Sequence, residues 1–341
     1  MSKITEDMIN PRLKKELDKQ KELNDLQVSF DEIDGFNDKN NIRTMYADIF
    51  RYTKMLEQKI TFVNKSLTNV IPFTRENLYL ICAYTGSGKS TIAANITYPL
   101  WQEQKKVLVI TNEESQQDVL YRIACLHLGY NFNEYKKGLM TPEKMTEVMK
   151  LFPQIAECVK VIDVNYKGGL TTKLEGIKNA LEAVKSSDYS CALIDYYQLI
   201  QYSSADSSKS RYDVLNDLRI WLGLYIKKSN IPIVLFAQLH STGKRNMVDI
   251  DGRIKECSAI IEPATVIIEA IPNFNDSTTV FAIHKDRFGY AGKKVTCGFE
   301  NGRYVEYTDA FKQAVQAKKL AEISNGMTQV QSFTVEDIKD E

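Results

Sequence analysis

The sequence is short of several things, and each shortage excludes something. It has no excess of charge of either sign: 44 lysines and arginines balance 44 aspartates and glutamates. A neutral chain is not a globally basic binder of polyanions, so any phosphate site must be small, local and placed. No apolar run approaches the roughly 18 residues that read as a membrane-spanning helix. The opening MSKITEDMINPRLKKELDKQ lacks the hydrophobic stretch of a secretory signal. The expected location is therefore the cytoplasm, without membrane contact. The cysteines (Cys82, Cys125, Cys158, Cys191, Cys257 and Cys297) are widely spaced and form no C-x-x-C pair. That argues against zinc and against a disulfide framework; they read as small buried hydrophobes with free thiols. There is no internal repeat.

What is present is 341 residues of globular composition, 43% hydrophobic and 26% charged, enough to bury a sizeable core. By length alone this is one large domain with appendages, or two domains. Residues 1–60 read as a helical arm. PRLKKELDKQKELNDLQ alternates charge as a solvated helix does, and FDEIDGFNDKNN is an acidic, turn-rich linker. From Ile42 to Ile60 a stripe of Ile42, Met45, Tyr46, Ile49, Tyr52 and Leu56 predicts a helix that needs a partner surface. From Leu78 onward, continuous apolar runs (LYLICA, KVLVIT, VKVIDV, CALIDY, IPIVLFA) alternate with helical patterns. Continuous rather than alternating runs mark strands buried on both faces, so residues 61–310 predict a doubly wound α/β core. ATVIIEA, TTVFAIHK and KKVTCGFENGRYVEY follow with little helix between them and read as an antiparallel edge of the same sheet. Residues 311–341 predict a helix and a mobile tail ending in VEDIKDE.

Between the first strand and the next helix lies AYTGSGKST. Glycines at 86 and 88 allow backbone N–H groups to turn inward around phosphates, and the helix starting near Lys89 adds its positive end. Thr85, Gly86, Ser87, Gly88, Lys89, Ser90 and Thr91 would wrap a triphosphate. Lys89 would reach the β and γ phosphates, and the Ser90 hydroxyl would ligate magnesium. The first position of the G-x-x-x-x-G-K-[ST] pattern is Ala83 here.

Ligands gather at the carboxyl ends of parallel strands, so the other strand ends supply the next candidates. KVLVIT ends in Asn112, Glu113 and Glu114. Glu113, nearer the strand, is the choice for polarising an attacking water, while Glu114 suits an acidic first helical turn. CALID ends in Asp195, placed to stand behind magnesium as a Walker B carboxylate. IPIVLFAQLHS ends in Gln238, whose amide can sense a γ phosphate and pass the change to the loop beyond. His240 reads as a loop residue.

Together these motifs resemble the motor domain of DnaB-type replicative helicases, within the RecA-like superfamily. The resemblance covers about Thr61 to Tyr307. ALIDYYQLI matches the family's Asp-Tyr-x-Gln-Leu signature through Asp195, Tyr196, Gln198 and Leu199. In VLVITNEES followed by VLYRIACLHLG, the resemblance implies Glu113 as catalytic base and Arg122 as a nucleotide-site residue. KECSAIIEPATVII is similar to a loop that tracks single-stranded DNA, which implies nucleic-acid contact by Lys255, Glu256 and Ser258. In IHKDRFGYAGKK, Lys285 and Arg287 match the Lys-x-Arg pair that reaches the γ phosphate of the adjacent subunit. Cations at the end of an edge strand lie far from their own phosphate loop and complete a site only across an interface.

The resemblance implies a RecA-like three-layer fold, a hexameric ring on single-stranded DNA, ATP and magnesium as ligands, and work beside a primase, a loader and a polymerase. Departures exist. Ser241 stands where Arg usually follows the sensor motif, and Lys255 and Ser258 replace Arg and Gly in the DNA loop, so bidentate arginine recognition is lost there. Residues 1–60 are too few for the family's N-terminal collar. A collar-less form is what a phage or mobile element would carry, placing the protein in the host cytoplasm. The competing readings are a RecA-like recombinase or mediator forming filaments on DNA, and a non-motor phosphate-loop ATPase. A kinase would need an Arg-rich lid, and none stands out.

Overall fold

The computed structural model describes residues 61, 64–71, 74–163, 173–185, 189–195, 198, 200, 210–229, 231–240, 250–254 and 258–332. All belong to the compact unit Gln58–Glu341. The arm 1–60 with its stripe Ile42–Ile60, the signature residues Tyr196 and Leu199, Ser241, and the tail 333–341 lie outside the described residues.

One sheet organises the unit. Its strands are β1 (Leu78–Ala83), β2 (Lys106–Thr111), β3 (Val159–Ile162), β4 (Tyr189–Asp195), β5 (Ile233–Gln238), β6 (Val266–Asn273), β7 (Thr278–Asp286), β8 (Lys294–Glu300) and β9 (Arg303–Glu306). They lie in the order β3-β2-β4-β5-β1-β6-β7-β8-β9. The pairs from β3 through β6 are parallel, and those from β6 to β9 are antiparallel. This is the mostly parallel sheet expected, with two corrections. ATVIIEA opens the antiparallel part but also completes the parallel one: β6 runs antiparallel to β7 and parallel to β1. KKVTCGFENGRYVEY is two strands, joined at Asn301 and Gly302 with φ of 46° and 83°. Two-residue hairpins favour positive φ at both positions, and Asn-Gly supplies it.

The helices are α1 (Lys65–Val70), α2 (Lys89–Gln102), α3 (Gln116–Leu128), α4 (Phe132–Lys136), α5 (Pro142–Lys150), α6 (Phe152–Cys158), α7 (Leu174–Lys185), α8 (Arg211–Ile226) and α9 (Asp309–Ser332). They cover the sheet in two layers, and the strands show why the sequence is apolar without alternation. Tyr79, Ile81, Val234 and Phe236 point into one core with α2, α3 and α6. Leu78, Leu80, Ile233 and Leu235 point into the other with α7 and α8. Both faces of β1 and β5 are buried, which fixes strand register because a one-residue slip would exchange the two cores. Ser115 and Ser210 begin α3 and α8 by accepting hydrogen bonds from the N–H groups of Asp118 and Asp213. Helices α4 to α6 are short and start from local caps or prolines. Among the described residues no helix is long and apolar enough to cross a membrane.

Candidate nucleotide site

The turn after β1 carries the phosphate motif as its sequence demands. Gly86 and Gly88 hold φ of 75° and 86°, the left-handed region that side chains disfavour. A Cβ on Gly88 would still stand 3.7 Å from Thr91 and from the Tyr304 hydroxyl, so glycine is required for its backbone rather than for space. Helix α2 starts at Lys89 with no side chain capping it. Its first N–H groups and its positive end are left for an anionic ligand. A cleft of about 300 Å³ opens beside this turn, between Gly86–Gly88 and Thr91 on one wall and Phe274, Thr278, Phe299 and Tyr304 on the other.

Ser90, one residue into α2, donates a hydrogen bond of 2.9 Å to Oδ2 of Asp195 at the end of β4. Asp195 is 3% exposed. Burial lifts its pKa to about 7, opposed by the Ser90 hydrogen bond and Lys89 and reinforced by Glu113 and Glu114. Its Oδ1 has no hydrogen-bond partner among the described residues. Nor, among the described residues, does any group of three His, Cys, Asp or Glu side chains stand ready to hold a metal alone. A hydroxyl beside a buried carboxylate with one oxygen lacking a protein partner fits magnesium, which keeps several waters and binds through few protein oxygens together with phosphates.

The two carboxylates after β2 are held differently. The Thr111 hydroxyl accepts from the backbone N–H groups of Glu113 (3.3 Å) and Glu114 (3.0 Å), fixing the turn. Glu114 is ion-paired with Arg122. Arg122 also donates to the Thr91 hydroxyl at 3.3 Å and lies 4.0 Å over the Phe132 ring. Glu113 faces solvent, yet burial by the surrounding protein raises its pKa, opposed by Lys89 and assisted by Glu114. The residue chosen from sequence thus shares its field with Lys89, while its neighbour is occupied.

Gln238 reaches the site from β5, its side-chain amide donating to the Thr85 hydroxyl. Its backbone is clamped by buried Gln198, which donates to Gln238 O (3.1 Å) and accepts from Gln238 N (3.2 Å). The structure therefore brings Thr85–Thr91, Glu113, Arg122, Asp195 and Gln238 together at the carboxyl end of the sheet.

Lys285 and Arg287 are elsewhere. Lys285 is level with Ile267 on β6, which pairs with Leu80, three residues back from the end of β1. At about 3.3 Å per residue this is on the order of 10 Å down the sheet and two strands across, and Arg287 is further still. Lys285 donates to the carbonyls of Ile261 (2.8 Å) and Glu262 (3.2 Å), and Arg287 to that of Glu262 (3.4 Å). Lys255 and Glu256 lie outside the described residues; Ser258 opens a short 3-10 turn, Ser258–Ile261.

The sequence pattern of the DnaB-like helicase C terminal domain matches residues 65–308. The chain belongs to that family. It is 23% identical over 202 residues to the replicative DNA helicase DnaB of Geobacillus stearothermophilus, covering 57% of this chain and 43% of that protein. With the Helicobacter pylori DnaB it shares 22% over 201 residues, 58% of this chain and 40% of that one. The chain thus spans less than half the length of these DnaB proteins. In fold it is similar to a solved ATPase domain, with a TM-score of 0.63 at 17% identity over 80% of this chain and 100% of that one. A DnaB-like replicative helicase described with its interactions with primase gives 0.60 at 17% identity, over 77% and 66%.

Three residues of this DnaB-like site escape a reading of strand ends. Thr111 caps the Glu113 turn, Gln198 braces the end of β5, and Asn112 buries an amide that has no hydrogen-bond partner among the described residues. Asn112 carries a signal, a polar side chain closing an apolar run just before the candidate base. Gln198 stands in the matched signature without a role.

Proposed function

We propose that this chain is an ATP-driven DNA helicase motor of the DnaB type, one subunit of a ring, hexameric on the family pattern, that moves along single-stranded DNA. On this reading residues 61–310 are the motor, residues 1–60 dock on a neighbouring subunit, and residues 311–341 are an accessory helix and tail. The observation that carries the reading is the Ser90–Asp195 hydrogen bond. It joins the phosphate turn to the β4 carboxylate, where an ATP–magnesium complex needs a hydroxyl and an acid side by side.

Magnesium, when bound, neutralises charge on the phosphates. The chain does the rest. Lys89 lays its ammonium against the β and γ phosphates, and the N–H groups of the Gly86–Gly88 turn and the start of α2 bind their oxygens. Ser90 and Asp195 hold the magnesium side of the site. Glu113 takes the proton of the attacking water, its raised pKa making it a stronger base than an ordinary carboxylate. Gln238, anchored on Thr85, registers whether the γ phosphate is present and conveys that to the chain beyond β5. Lys285 and Arg287 act on the γ phosphate of the next subunit, since their own phosphate turn lies at the other end of the sheet. Lys255, Glu256 and Ser258 contact the DNA backbone.

The test is ATP turnover and oligomeric state with and without single-stranded DNA, at low and moderate salt. A phosphate-tracking ring predicts stimulation that weakens as salt rises. Turnover indifferent to single-stranded DNA would sink the motor, and open filaments with strand exchange would favour a recombinase.

A further inference from the structure

Away from the phosphate turn, one buried ionic cluster is left without a role. Arg253 ends the 3-10 turn Ile250–Arg253, two residues before Lys255. Its guanidinium donates to both carboxylate oxygens of Glu269 on β6, each at 2.6 Å. His284 on β7 stands 2.8 Å from the same carboxylate. The Glu269 side chain is 4% exposed and that of Arg253 11%. A two-pronged, solvent-excluded arginine–carboxylate pair fixes orientation as well as distance.

What Arg253 joins gives the cluster its meaning. Its backbone carbonyl accepts from the N–H of His240, at 2.9 Å, two residues past Gln238. Leu239 and Ile254 form an antiparallel bridge at the same place. Tyr84, one residue before the hydroxyl that Gln238 contacts, lies near Arg253 and favours its charged form. The segment entering the Lys255–Ser258 motif is thus laced by its backbone to the sensor strand and by its side chain to β6.

We propose that Arg253, gripped by Glu269, is the positioning residue that couples the Gln238 end of β5 to the DNA-contacting stretch beginning at Lys255. A shift of Gln238 on loss of the γ phosphate moves Leu239 and His240. The grip converts that shift into a directed displacement of the following stretch, where an ungripped segment would absorb it. Glu269 serves as the fixed post, and His284 keeps its carboxylate oriented. The polar contacts of Arg253 are with Glu269 and the backbone of His240 rather than with Lys89, Ser90, Glu113 or Asp195, so on this proposal hydrolysis without DNA does not depend on it.

The proposal rests on the helicase reading above, and the experiment separates the two. ATP turnover of the full chain is measured with and without single-stranded oligonucleotide for the unmodified protein, Arg253→Lys and Glu269→Gln. Thermal unfolding is followed alongside. Arg253→Lys keeps the charge but loses the double grip, and so serves if Glu269→Gln does not fold. Expected are a basal kcat and a KM for ATP within about twofold of the unmodified protein, with at least a roughly tenfold loss of DNA stimulation. Stimulation that survives in both variants overturns the coupling while leaving the motor intact. A parallel fall in basal and stimulated rates reduces the cluster to a structural brace and also overturns it. No stimulation in the unmodified protein removes the motor reading and this proposal with it.

Discussion

At the scale of single residues the structure divides labour between adjacent carboxylates. Glu114 is paired with Arg122, whereas Glu113 shares its field with Lys89. Glu113→Gln is therefore expected to lower ATP turnover by about two to four orders of magnitude while nucleotide binding persists. Glu114→Gln should disturb Arg122 and cost far less; comparing kcat and nucleotide affinity of the two variants checks this. If Glu114→Gln proves the more damaging, the assignment is reversed. Much of this site is legible in the sequence because its chemistry is local: a strand, two glycines and Lys-Ser in series, then acids at the ends of apolar runs. Gln198 is not, because its hydrogen bonds to the backbone of Gln238 span forty residues and leave no signature in residue spacing; Thr111 is overlooked because it reads as the last residue of an apolar strand, although its bonds are local.

Elements bring partners together across long separations, and two junctions can be probed. Glu269 binds β6 to β7 through His284 and to the Ile250–Arg253 turn through Arg253. Burial alone would raise its pKa, but the hydrogen bonds from His284 and Arg253 win and hold it below the usual carboxylate value. A carboxylate with a depressed folded pKa contributes stability above its unfolded pKa and loses it as pH falls through the folded value. Glu269→Gln should thus destabilise near neutral pH by about 3 kcal/mol, as for a buried pair left with one charge. The gap to the unmodified protein should narrow in acid below the ordinary glutamate range, in denaturant titrations at several pH values. The second junction is β8 against α9. A Cβ on Gly298 would sit 2.7 Å from the Phe311 ring. Gly298→Ala should cost about 1–3 kcal/mol by overpacking, and little in a Phe311→Ala background, as a double-mutant cycle of unfolding free energies will read. The strands are legible because burial on both faces writes unbroken apolar runs. The direction of β6 is not, since a strand that changes the sheet from parallel to antiparallel has the same composition either way. Helices α4 and α6 are hidden because five and seven residues are too few to show a period.

For the whole molecule, the sheet sets where charge can act. The phosphate turn stands at the carboxyl ends of β1 and β4, while Lys285 and Arg287 sit toward the opposite end, two strands away. If Arg287 acts across the interface, mixing Arg287→Ala subunits with Glu113→Gln subunits, each inactive alone, should restore part of the ATP turnover, because some sites then join an intact Glu113 to an intact Arg287 of the neighbour. No recovery on mixing would place Arg287 outside its neighbour's site. The neutral total of 44 against 44 is no obstacle to a polyanion on this reading, as a ring repeats a few basic residues around one axis. Setting loop and cations toward opposite ends of strands two apart has one more consequence. A lone chain would own half of two different sites and the whole of none, so turnover per chain should collapse on dilution below the concentration at which chains associate. Activity would then double as a reading of assembly, and a subunit that drifted off alone in the cell would consume no ATP.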